Sequence, residues 1–348
     1  MREKPGIPDE HLRVCLQEQY DLSAVTLDFL PLGLDTHAGV YRVVSEHGTP
    51  YFLKAKYGTL YQPSCLVPGY LRDQGIASVV APFPTKRNAL WTQVGAWAVI
   101  VYPFIDGDTG WNLGMTDGNW QEVGMILKQI HRVILPSEGF GSLRKETFDP
   151  TEYSRWVHAF ETQRAYAEGG GVTERALSSY WVAHRPTIHT VVTAMEELAR
   201  LLREQSGPKV ICHADLHPGN ILRDQSDQVF VIDWDDVMLA PKERDFLFVR
   251  EAKAGGSALQ ETPPFFQGYG ETEIDWITLT YYRCERVVQD LIECAQQVFC
   301  RDDLEEETKA DAVKVFEDIF VEGGEVDAAF AAAAQVPSNL TLHNREVS

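Results

Sequence analysis

Over the first hundred residues the apolar positions come in short runs rich in β-branched and aromatic side chains, each closed by turn residues. On that pattern 26–32, 40–45, 50–56, 89–94 and 97–102 are predicted strands. His47-Gly48 suits a turn between the second and third, and Gly95 a hairpin between the fourth and fifth. One short helix fits 64–74, against the grain of Pro68 and Gly69.

Beyond Tyr102 the period changes. Pro103-Phe104-Ile105-Asp106-Gly107 closes the last strand, and helical spacing takes over. Thr116 is placed to cap a helix that lines up Trp120, Val123, Ile126, Leu127 and Ile130 on one face. The ranges 187–205, 276–298 and 303–320 repeat that spacing, with β-like segments at 210–212 and 220–233 between them. The expectation is an α+β chain with a small antiparallel-sheet lobe over 1–105 and a larger, mainly helical lobe over 106–348.

Charge narrows the function classes. Among 348 residues, 31 Lys+Arg stand against 51 Asp+Glu, a net charge of −20, which argues against a nucleic-acid partner. The six cysteines form no CxxC pair and no zinc spacing, as expected of reduced thiols in the cytoplasm. The opening residues lack the apolar core of a secretory signal. The longest strongly apolar stretch, 97–104, is far too short for a membrane span, so no membrane partner is expected.

The chemistry concentrates in His213-Ala214-Asp215-Leu216-His217-Pro218-Gly219-Asn220 and the hairpin that follows, ending Val229-Phe230-Val231-Ile232-Asp233. Asp215 on a loop can accept the proton of an attacking hydroxyl. Asn220, five residues on, and Asp233, thirteen further, offer hard oxygen ligands of the kind Mg²⁺ prefers. Pro218 and Gly219 bend the loop so that these groups can converge. His213, ending an apolar strand, reads as a brace rather than a proton carrier. His217 stays open, and Asp245 reads as a brace for the loop from the next helix.

This arrangement resembles the H-x-D-x-x-x-x-N loop and D-F-G segment of the protein-kinase-like fold. Here Ala214 stands for the loop arginine and Asp233-Trp234-Asp235 for D-F-G. With the form HADLHPGN, the chain resembles the aminoglycoside phosphotransferase family. The stretches WDDVMLAPKERD (234–245) and YYRCER (281–286) are most similar to its spectinomycin-acting branch. The resemblance implies a bilobal protein-kinase-like fold and ATP- or GTP-dependent, Mg²⁺-dependent transfer of phosphate to a hydroxyl of a small molecule. The implied acceptor is a cationic aminocyclitol antibiotic of the spectinomycin type, so the implied role is antibiotic resistance. Only eleven residues separate Asp233 from Asp245, too few for a phosphorylatable activation segment. Two other readings remain: a kinase of choline, methylthioribose, homoserine or a sugar on the same fold, and a pseudokinase-like binding module.

The resemblance also assigns Lys54 to the nucleotide phosphates; period two puts Lys56 on its side of the strand, opposite Leu53 and Ala55. It sets the loop holding Asp35 and Thr36 over the phosphates, and Pro103, Phe104 and Ile105 at the purine. Pro103 has no N–H, so Ile105 is the simplest donor. Kinase-like folds pair the strand lysine with a glutamate on the small-lobe helix, yet no Glu lies between Glu46 and Glu122. Asp73, Gln62 or the nucleotide itself is left to meet Lys54. For a cationic acceptor the candidate carboxylates are Asp235, Asp236, Glu243 and Glu285. Asp290 projects about 140° from Glu285 on a helix, so the two cannot share a face, and Glu285 is favoured.

Overall fold

The chain is described here from a computed structural model, covering residues 4–33, 37–136, 138–163, 170–205, 207–249 and 262–336. In chain order the elements are α1 (Asp9–Cys15), β1 (Ala24–Leu30), β2 (Ala38–Ser45), β3 (Pro50–Tyr57), α2 (Pro63–Asp73), β4 (Thr92–Val94), β5 (Trp97–Pro103), β6 (Gly107–Thr109), α3 (Gly110–Leu113), α4 (Asp117–Arg132), α5 (Thr151–Gln163) and α6 (Val172–Arg203). Then come β7 (Val210–Cys212), β8 (Ile221–Asp224), β9 (Val229–Val231), β10 (Met238–Ala240), α7 (Pro264–Tyr269), α8 (Trp276–Cys300), α9 (Glu306–Asp318) and α10 (Glu325–Ala333). Contacts divide the chain into two compact units, Arg2–Lys145 with Lys209–Thr272, and Glu146–Pro208 with Glu273–Ser348.

The first unit holds an antiparallel sheet in the order β1-β2-β3-β5-β4. Alternation along β3 sends Leu53 and Ala55 into a core with Tyr41, Val43, Val99 and Val101. The pattern did not predict what covers that core. Ile7 together with Leu12, Cys15 and Leu16 of α1 and its π-helical continuation Leu16–Tyr20 pack there, and Tyr20 Oη donates to the Val99 carbonyl at 3.2 Å. The fourth strand is shorter than expected. Residues 85–89 fold instead into a turn, with Thr85 Oγ1 accepting from the N–H groups of Arg87 and Ala89.

Two small sheets follow, β6-β8-β9 and β10-β7. Strand β9 has a second neighbour: Val231 N–H donates to the Ser78 carbonyl and Val80 N–H to the Val231 carbonyl, at 2.8 and 3.0 Å. The hairpin that ends at Asp233 is thus tied to the segment after α2. Helix α4 begins as expected at Thr116, whose hydroxyl and Asn119 cap each other. Helix α7 lies close against α4: a Cβ at Gly268 would stand 1.8 Å from the Gln121 carbonyl oxygen, so only glycine fits.

The second unit is helical. Helix α6 runs through Pro186 and starts fifteen residues before the expected 187, because Thr173, Leu177 and Trp181 extend its buried stripe. Phe160, Trp181 and Phe316 stack into its core. The alanine-rich 328–334 falls largely within α10, where Val326, Ala329 and Ala332 are buried at a spacing of three. Glu161 is buried beside Trp181 and accepts from its Nε1 at 3.1 Å, from His189 Nε2 at 2.9 Å and from Arg185 Nε at 3.3 Å.

Burial alone would raise the Glu161 carboxyl, but these bonds and the charges of His189 and Arg185 outweigh it and hold it below the ordinary carboxylate range. A depressed carboxylate adds stability that is complete above its unfolded value, roughly 4.3, and is lost as pH falls through the folded value. Glu161→Gln should therefore cost about 1 kcal/mol at pH 7, since Arg185 and His189 are half exposed. It should also flatten the loss of stability between pH 5 and 3, a change that urea titrations across that range will read.

Candidate active site

The loop between β7 and β8 is fixed from beneath by one carboxylate. Asp245, in the 3-10 turn Lys242–Phe246, accepts the His213 N–H at 3.0 Å on Oδ2 and the Ala214 N–H at 2.7 Å on Oδ1. The brace expected of Asp245 is present, from a tight turn rather than a regular helix. Its side chain is fully buried, and His131 Nε2 on α4 meets it at 3.0 Å. Tyr269 Oη on α7 reaches His131 Nδ1 at 2.8 Å, which completes a buried chain of three side chains. Burial first, then the charge of Asp245, pushes the Tyr269 phenol up, so it stays a donor. Cys212 lies within this cluster, but burial raises its thiol well above the ordinary range and its Sγ points to the carbonyls of Ala240 and Pro241. The group is a hydrogen-bonded brace, with both His131 nitrogens and both Asp245 oxygens already engaged.

Held this way, Ala214 adopts φ +73° and Asp233, across the hairpin, φ +60°. Both are left-handed conformations that non-glycine residues adopt at a cost, and such residues gather at functional sites. His213 donates from Nε2 to the Ile232 carbonyl at 2.8 Å and accepts the Asp215 N–H on Nδ1 at 3.3 Å. Both nitrogens are therefore used in joining the loop to the strand end next to Asp233, as expected of a brace.

Asp215 and Asn220 are brought together. Asn220 Nδ2 donates to the Asp215 carbonyl at 2.8 Å and to its Oδ2 at 3.2 Å. That turns the amide nitrogen toward Asp215 and leaves Oδ1 as the face able to ligate a cation. The Ile232 N–H donates to the Asn220 carbonyl at 3.0 Å, which holds Asn220 against the residue preceding Asp233. An amide oxygen and a carboxylate so placed are a hard donor set that fits Mg²⁺. His217 also gains a position: Nδ1 accepts the Gly219 N–H at 3.0 Å, Nε2 lies 3.5 Å from Asp215 Oδ2, and the ring stacks on Trp111 at 4.3 Å. A Cβ at Gly219 would meet that indole at 2.5 Å.

Lys54 reaches the same place from β3. It is buried and donates to Asp233 Oδ1 at 2.9 Å and to Asp235 Oδ2 at 2.7 Å, and Lys56 donates to the same Asp235 oxygen at 2.7 Å. Neither Asp73 nor Gln62 fills the place of the missing glutamate. Burial would lower the lysine, but the charges of Asp233 and Asp235 raise it well above its ordinary range. Burial likewise opposes ionisation of Asp235, and the two lysines overcome it and hold the carboxyl well below its usual range.

The remaining expected residues are scattered. Pro103 ends β5 opposite Tyr51, and Phe104 lies under the Arg42 guanidinium at 5.2 Å. Ile105 is half-buried just beyond. Asp35 and Thr36 lie outside the described residues. Asp236 is exposed beside Arg144, and Glu243 is buried and paired with Lys242. Glu285 belongs to the other compact unit, where it is buried and accepts from Tyr281 Oη at 2.8 Å. His131 and Tyr269 carry no motif signal: they sit on two different helices, His131 114 residues from Asp245, and only the fold brings them together.

A loop carboxylate, an adjoining amide, a hairpin carboxylate and a buried strand lysine gathered this way define a phosphotransferase of the kinase-like fold. Over residues 29–276 the chain matches the APH phosphotransferase enzyme family and belongs to it; it is an ATP-dependent phosphotransferase with an alcohol group as acceptor. Among solved structures it is similar to spectinomycin phosphotransferase APH(9)-Ia in complex with ADP and spectinomycin. The two share 31% identity and a TM-score of 0.82, with 94% of this chain and 99% of that one covered. More distant likenesses, to amicoumacin kinase hAmiN (17% identity, TM-score 0.58, 90% and 93% covered) and choline kinase LicA from Streptococcus pneumoniae (16%, 0.53, 89% and 98%), bear on the fold alone. No match was found among curated proteins. Among the described residues no helix is long and apolar enough to cross a membrane.

Asp245→Asn would turn an amide N–H toward a backbone N–H that needs an acceptor. The expected loss is about 3 kcal/mol of stability, against about 1 kcal/mol for Tyr269→Phe, read by urea unfolding.

Proposed function

We propose that this phosphotransferase moves the γ-phosphate of ATP or GTP to a hydroxyl of a cationic aminocyclitol of the spectinomycin type, and so serves antibiotic resistance in the cytoplasm. The observation that carries this reading is the joint placement of Asp215, Asn220, Asp233 and Lys54 in a chain that matches a spectinomycin-binding relative along nearly its whole length. Asp215 orients the acceptor hydroxyl and takes its proton. Asn220 and Asp233 hold Mg²⁺, which when bound supplies positive charge against the triphosphate. Lys54 steadies the phosphates, and Pro103 to Ile105 receive the purine. On this reading the boundary near residue 105 divides a nucleotide-binding lobe from a catalytic and substrate-binding one.

Carboxylates suit the protonated amines of such an acceptor. Asp236 offers an exposed one, and Glu243 and Glu285 are buried ones that an ammonium would need to reach. A charged hydrogen bond of this kind is worth roughly 1.5–3 kcal/mol, or one to two decades in affinity.

Asp215→Asn should bind nucleotide normally and lose about 10²–10⁴ in turnover, the contribution of a positioned general base. Retention of turnover within about three-fold, in a coupled nucleotide assay, would remove Asp215 from that role.

The acceptor is tested by the same assay across aminocyclitols, choline, methylthioribose, homoserine and neutral sugars. Spectinomycin should be turned over with the highest kcat/KM. Glu285→Gln, which keeps the acceptor oxygen facing Tyr281 and removes only charge, should raise KM for it about ten-fold. Better turnover of a neutral metabolite, with Glu285→Gln silent, would replace the aminocyclitol reading with a metabolite kinase.

A further inference from the structure

The proposed nucleotide site has a lysine but no helix carboxylate to hold it. In kinase-like folds that carboxylate keeps the strand lysine aimed at the phosphates. Helix α2 offers none close by: its sequence, PSCLVPGYLRD, has a single acid, Asp73, at its last residue. The α2 side chain whose electrostatic surroundings include both Lys54 and Asp235 is Cys65, a fully buried thiol pushed up to about 11 chiefly by burial. A protonated thiol cannot orient an ammonium as a carboxylate does.

We propose that Asp235, two residues beyond Asp233, is the positioning partner of Lys54 and takes over the work of the absent helix glutamate. The proposal rests on the nucleotide half of the function given above. Lys54 donates to two carboxylates, and one of them, Asp233, is the candidate metal ligand. With Asp233 committed to a cation, Asp235, 2.7 Å from Lys54 here, is the carboxylate left to aim it. Lys56 explains how a carboxylate can stay there. It sits on the same side of β3 and donates to the same Asp235 oxygen, so two cations face two anions and the cluster around buried Lys54 is neutral. The neighbouring backbone is also pinned: Tyr61 Oη donates to the Val237 carbonyl at 2.9 Å, and Arg144 donates to the Asp235 carbonyl and to the Asp236 carboxylate at 3.0 and 3.1 Å. Asp235 is therefore held by both its side chain and its main chain, as a fixed support for a lysine must be.

Three roles are open to a carboxylate at this position, and they separate by measurement. Titration of the intact protein with a fluorescent ATP analogue at fixed Mg²⁺ needs no acceptor, so it reads the lysine partnership even where the acceptor assignment fails. Asp235→Asn should weaken nucleotide binding about ten-fold, and Asp235→Glu, which keeps the charge, by less than about three-fold. In a Lys54→Met background Asp235→Asn should add less than about two-fold, because the group it serves is gone. The Mg²⁺ midpoint should be unchanged in Asp235→Asn and raised in Asp233→Ala. An equal loss with and without Lys54 overturns the proposal. A shifted Mg²⁺ midpoint overturns it in favour of a metal ligand, and unchanged nucleotide affinity with a raised acceptor KM in favour of an acceptor carboxylate. Unaltered circular dichroism of each variant makes these readings interpretable.

Discussion

A single buried charge organises this protein's chemistry. The Asp245 carboxylate sits out of reach of water, where an uncompensated anion costs several kcal/mol. It is compensated by two consecutive backbone N–H groups and by His131, itself held by Tyr269. Those two N–H groups belong to residues 213 and 214, so the same bonds that satisfy the carboxylate force Ala214 into its left-handed turn and present Asp215. The geometry of the candidate catalytic loop and the burial of this charge are solved by one set of hydrogen bonds. Loss of either half removes the reason for the other.

The hairpin extends this order outward. His213 bonds to the Ile232 carbonyl, Ile232 bonds back to Asn220, and Val231 is shared with the segment that follows α2. Asp233 thus stands at the end of a strand whose neighbours on both sides are fixed. Its partner Lys54 lies in the middle strand of the five-stranded sheet, opposite Val40 on one side and Ile100 on the other. The proposed metal and phosphate groups both hang from backbone that cannot drift.

How much of this was legible follows the range of the interactions. The 213–233 motif could be read because its groups lie within one loop and one hairpin, and spacing alone brings them together. Lys54 could be read from period two and from the family likeness. Its partner could not, because kinase-like folds draw it from the small-lobe helix while here Asp235 lies 181 residues later. His131, 114 residues from Asp245, failed for the same reason. Helix α1 was missed because Leu12, Cys15 and Leu16 are too few apolar positions, in a polar stretch, to stand out from the strand-rich residues after them. Half of α6 was lost to Pro186, whose helix-breaking tendency is overridden by the buried stripe on both sides.

The neutral cluster at the foot of the site has a kinetic consequence. Lys54 and Lys56 are cancelled by Asp233 and Asp235, so the waiting site shows no net positive charge to a polyanion approaching from solution. The rest of the chain carries −20. A nucleotide therefore arrives without long-range attraction, and gains the lysine only by competing for it at contact. The cationic acceptor proposed above would be drawn in over the Debye length, and added salt would slow it while easing the nucleotide's approach. The two substrates of one enzyme should in this way answer oppositely to ionic strength.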